Sequence, residues 1–180
     1  MSRITYAALC AGLGFVCAHA DADTVVYNFP IEVAQSVPAP TIPDGFSPSG
    51  FATVTLDTDT NLLTWDITYS GLTGEIVAPG AHFHGPAGFG ATAGVVVDLA
   101  GNVAGTGTGA PLPQPASGSL VGNFTISDAQ ESDILAGLWY VNIHTALNGP
   151  GEIRGQVIPA PASAATLALL GAAALRRRRR

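Results

Sequence analysis

Apolar and polar residues alternate along much of this chain, the pattern of strands with one buried and one wet face. Ala52, Val54 and Leu56 alternate with Thr53, Thr55 and Asp57. Leu63, Trp65, Ile67 and Tyr69 alternate with Thr64, Asp66 and Thr68 after a turn over residues 57–61, so the two runs predict a β-hairpin. Asp57, Asp59 and Asn61 imitate the start of a calcium loop, but Leu62 stands where such a loop needs Gly, so the segment reads as a turn. The β-branched and aromatic run at 24–29 predicts a first strand. Val95, Val96 and Val97 lie in an unbroken apolar run, the mark of a strand buried on both faces. Further strands are expected at 75–84, 120–126, 138–145 and 152–158. Ser127 followed by Gln130 is a capping box that opens one short helix ending at Gly137. Residues 36–50 are proline-rich, and residues 101–119 are almost all Gly, Ala, Thr, Pro and Ser, which predicts a long mobile loop. The expected fold is all-β, an antiparallel Greek-key β-sandwich or barrel with one short helix.

The candidate chemistry lies in two of these strands. His82 and His84 are two residues apart, so both point to one face while Ala81 and Phe83 point to the other. Tyr140, Asn142 and His144 likewise share a face opposite Trp139, Val141 and Ile143. If the strands pair, three imidazoles converge. Neutral imidazoles in that number suit Cu or Zn, with water or a substrate completing the shell. The alternative is that His82 and His84 bind loop backbone and His144 fixes the turn at 148–151.

Composition changes the picture at the ends. Arg3, the apolar run at 4–18 and Ala18-His19-Ala20 form the three parts of an export signal cut after Ala20, which implies processing by signal peptidase. The other end reads Pro159-Ala160-Pro161, then an Ala/Leu/Gly run to Leu175, then Arg176, Arg177, Arg178, Arg179 and Arg180. This order resembles the PEP-CTERM sorting signal of Gram-negative bacteria, although Ala160 stands where that signal usually has Glu. The resemblance implies an exosortase-type protease as partner, transient membrane association through a C-terminal apolar helix, and delivery to the cell surface or extracellular matrix. Three segments follow: a signal helix at 1–20, a β domain at 21–158 and a sorting tail at 159–180.

Removing both ends leaves thirteen acids against Arg154 alone, a formal charge of −12 (1 − 13), because the chain has no Lys and its other six Arg lie in the ends. Such a domain repels nucleic acid and anionic membrane and attracts cations. Both cysteines, Cys10 and Cys17, fall in the export signal, so the domain is held by its core and not by a disulfide. Arg154 shares a strand face with Glu152 and Gln156, and a buried pair with Glu152 or Glu75 is expected for it. No nucleophile elbow, P-loop or dinucleotide fingerprint is evident.

Ala81-His82-Phe83-His84-Gly85-Pro86-Ala87, the run from Gly137 to Thr145 and the run from Asn148 to Gln156 together resemble a CHRD domain, the module named from chordin. The resemblance implies an extracellular β-rich domain without an established catalytic activity. More weakly, His-x-His followed by a lone strand His resembles the order in copper/zinc superoxide dismutases. That likeness implies His82, His84 and His144 as copper ligands. The bridging histidine and the remaining zinc ligands of those enzymes have no counterpart here, which leaves a mononuclear site. The expectation is a non-catalytic surface or matrix module that binds extracellular polymer or surface components, with a mononuclear Cu or Zn protein, either storing copper or doing redox chemistry, as the alternative.

Overall fold

The computed structural model describes residues 24–158. The expected export signal, with Ala18 and Ala20, and the expected sorting tail, with Pro159, Ala160, Pro161 and Arg176 to Arg180, lie outside the described residues. Among the described residues no helix is long and apolar enough to cross a membrane.

Eight strands form one antiparallel sheet: β1 (Thr24–Glu32), β2 (Ser49–Asp57), β3 (Leu62–Ser70), β4 (Ile76–His84), β5 (Val95–Ala100), β6 (Gly118–Thr125), β7 (Trp139–Thr145) and β8 (Ile153–Val157). Their order is β5-β4-β7-β8-β1-β2-β3-β6, and the two end strands β5 and β6 approach each other, so the sheet curls into a nearly closed barrel. Curling removes most of the exposed edge an open sheet would present. The all-β expectation holds, in the barrel form of the sandwich-or-barrel alternative.

The hairpin forms in the register its alternation dictates, with Thr55 opposite Thr64 and Asp57 opposite Leu62. Asp57 Oδ1 accepts from the N–H groups of Asp59 (3.0 Å) and Thr60 (2.9 Å), which makes the 57–61 segment a turn. Leu56, Leu63, Trp65 and Ile67 all fall inside the barrel, with Tyr27, Phe29, Phe83, Trp139, Val141 and Ile143. Helix α1 (Asp128–Leu135) opens on the capping box, in which Ser127 and Gln130 satisfy each other's backbone N–H.

The segment at 101–117 differs from its expectation. It is pinned to the sheet by bridges between Ile76 and Gln114 and between Ala100 and Ala110. Its glycines allow the close approach: a Cβ on Gly109 would lie 2.7 Å from the Ala100 nitrogen.

Candidate metal centre

The outer face of β4, β7 and β8 carries polar side chains in cross-strand rows. One row runs Asp98, His82, Asn142, Arg154, Glu32, and the next runs His84, Tyr140, Gln156. In most antiparallel barrels such a face is wet. Here His82, His84, Asp98, Asn142, His144, Arg154 and Gln156 are all buried, because loops fold over them.

Loop 85–94 is the first cover. Arg154 holds it down by donating to the carbonyls of Ala91 (2.8 Å) and Gly88 (3.2 Å), while Gln156 Nε2 donates to Ala87 (2.9 Å). The guanidinium also receives support from Gln156 Oε1 (3.1 Å) and lies 3.6 Å from the centre of the Tyr140 ring. The expected pair with Glu75 or Glu152 does not form. Glu75 is exposed, and Glu152 is consumed by Thr73, Thr145 and Asn148, whose hydroxyl and amide groups fix the turn at 148–151. Carbonyl oxygens and a π face therefore replace the carboxylate that sequence reasoning assigned to Arg154. Burial without a carboxylate draws its pKa below the usual guanidinium value.

The structure brings the three histidines together. Their candidate ligand atoms all lie within 4.8 Å of one another, and the residues are 0%, 8% and 5% exposed for His82, His84 and His144. His84 Nδ1 lies 3.0 Å from the Ala93 carbonyl, and His144 Nδ1 lies 2.8 Å from the Gly149 carbonyl. A carbonyl only accepts, so both Nδ1 atoms carry the proton and both Nε2 atoms present a lone pair. Neither Nε2 has a hydrogen-bond partner among the described residues. The backbone-anchoring role and the ligand role are therefore compatible at His84 and His144, where one nitrogen does the first and leaves the other for the second; the His82 ring, also expected to bind loop backbone, makes no hydrogen bond among the described residues. Tyr140 stacks on His84, nearly parallel at 5.0 Å between ring centres, and fixes the ring plane.

Burial lowers the pKa of all three rings, taking His82 and His144 to about 4. Neighbouring imidazoles push His82 and His144 in the same direction, the Arg154 guanidinium does so at His84, and the Ala93 and Gly149 carbonyls oppose it at His84 and His144. The rings are neutral at physiological pH, the state that ligates. One acid missed by the sequence reading joins them. Asp98 Oδ1 is 3.8 Å from His82 Nε2, with both side chains fully buried. Its signal was available, since Asp98 is the single charged residue in the apolar strand Val95–Ala100.

A model of the CHRD domain family matches residues 27–157, which is nearly the whole described domain. The chain belongs to the CHRD family. CHRD domains occur in extracellular and secreted proteins as binding-type modules. No curated protein and no solved structure matches this chain. In this CHRD domain the matched span contains every strand that carries the histidine cluster.

Proposed function

We propose that this CHRD protein is an exported surface or matrix module that holds one copper or zinc ion through His82, His84 and His144. One observation carries the reading: three buried, neutral imidazoles converge, and two of them have a buried Nε2 lone pair with no partner. A buried polar atom without a hydrogen bond is costly, and a cation at the centre of the cluster would satisfy three at once. Three histidines with a fourth position open suit Zn, and imidazole is equally a ligand for Cu. The −12 charge of the mature domain raises the local concentration of cations around it.

The near-complete cover over the histidines favours holding an ion over turning over a substrate. The family supports an extracellular setting, and the export signal and Arg-rich tail support delivery to the surface by signal peptidase and an exosortase-type protease. The order of the three histidines, shared with copper/zinc superoxide dismutases, supports copper as one of the two candidate ions.

Metal analysis of protein purified without a His-tag tests the reading. About one equivalent of Cu or Zn per chain is expected, with a rise in Tm on metal addition. Substoichiometric metal together with an unchanged Tm would sink it. Mass spectrometry of the surface-released form tests the tail: it should lack Arg176 to Arg180, and an intact tail there rules out processing.

A further inference from the structure

His82 differs from the other two histidines because no backbone carbonyl accepts from its Nδ1. We propose that Asp98 is a positioning residue that holds the proton of His82 on Nε2, so that His82 offers Nδ1 to the metal while His84 and His144 offer Nε2. The inference rests on the metal reading for its function, but its core is a statement about the metal-free protein.

His82 Nε2 faces Asp98 Oδ1 at 3.8 Å, and neither atom has another partner. A Cβ on Gly101 would sit 3.2 Å from Asp98 Oδ1, so the glycine leaves room for the carboxylate beside the ring.

A neutral imidazole has one proton to place. On Nε2 it faces the Asp98 carboxylate oxygen. On Nδ1 it would leave the Nε2 lone pair against a carboxylate oxygen in a dry site, where like partial charges repel strongly. The first tautomer wins, and Nδ1 is left as the lone pair. Asp98 is itself held in place, since its Oδ2 accepts from the Val103 N–H at 2.8 Å and Gly101 and Gly109 pack against its carboxylate. Binding of a cation makes the His82 N–H more acidic, which strengthens its attraction to Asp98 and shortens the 3.8 Å gap. Carboxylate, imidazole and ion would then form a chain in which the His82 ring stands between Asp98 and the metal.

Long-range 1H–15N correlation spectra of the metal-free full chain test the assignment directly. His82 should appear as the Nε2–H tautomer, and His84 and His144 as Nδ1–H. His82 found as Nδ1–H overturns the proposal. On titration with Zn²⁺, the large 15N shift of His82 should fall on Nδ1, and a shift on Nε2 overturns it equally. Asp98→Asn, close in size but uncharged, should weaken Zn²⁺ binding about 10–100-fold while leaving the tautomers of His84 and His144 unchanged. Unchanged Zn²⁺ affinity in that variant counts against a positioning role. If the natural protein binds no Zn²⁺ or Cu²⁺, the metal reading fails, and the metal-free tautomer pattern still decides the Asp98 inference by itself.

Discussion

The two halves of the barrel share one interior and differ on their outer surfaces. On β1, β2, β3 and β6 the outward rows are Val26, Thr55, Thr64, Asn123 and Asn28, Thr53, Asp66, Val121, all exposed or half-exposed. On β4, β7 and β8 the outward rows hold His82, Asn142, Arg154 and His84, Tyr140, Gln156, all buried. The first half follows the ordinary rule for antiparallel sheets, apolar within and wet outside. The second half breaks it by drawing loops across its outer face, and so creates a polar compartment apart from the hydrophobic core. The proposed metal site lies there, where the cover keeps the imidazoles neutral, fixed and dry.

The sharpest way to break that contrast is to remove the clamp. Arg154→Ala leaves the Ala91 and Gly88 carbonyls and the Gln156 amide without their donor and strips the cover from Tyr140 and His84. A loss of about 3–4 kcal/mol is expected, read as a lower midpoint in urea unfolding. A change below about 1 kcal/mol would mean the loop is held by its other contacts.

Next in size is a steric test of the same loop. A Cβ on Gly85 would lie 2.6 Å from Trp139 Cδ1, inside the packed core. Gly85→Ala should cost about 1–3 kcal/mol by thermal unfolding, because the indole it strikes is itself fully buried. A neutral result would show that Trp139 has room to shift.

Acid should separate the halves as well. Because burial lowers the folded-state pKa of His82 and His144 to about 4, the unfolded chain binds protons first as pH falls. Stability contributed by the neutral rings is complete above the unfolded value of 6.5 and is lost as pH falls through the window down to about 4. Each ring adds a slope of up to about 1.4 kcal/mol per pH unit. Asp98, whose pKa is raised by burial, acts in the opposite sense, because its charged form is the one disfavoured in the fold. Metal-free protein titrated by Tm should become less stable between pH about 6.5 and 4. His144→Ala should flatten that slope, and an unchanged slope in the variant would mean that other groups govern the acid response.

The smallest effect belongs to the bare half. Thr53→Ala removes a hydroxyl that donates to Asn28 Oδ1 at 2.9 Å on an open surface. The expected change is within about 0.5 kcal/mol. A larger loss would show that this face, too, is covered in the working protein.

The sequence by itself determined the interior. Alternation placed Leu63, Trp65 and Ile67 on one face, and the capping residues Ser127 and Gln130 located the helix, because such local signals depend only on backbone period and nearby donors. It also placed His82 and His84 on a common face, since a strand leaves no other choice. What covers that face was decided by tertiary structure alone. Arg154 reaches carbonyls more than sixty residues earlier in the chain, and Asp98 meets His82 only because β5 pairs with β4. The expected carboxylate partner for Arg154 failed for the same reason: spacing along one strand puts Glu152 close in sequence, yet Thr73, Thr145 and Asn148 reach its oxygens first. Local pattern fixes which way a side chain points, whereas long-range packing decides what waits for it there.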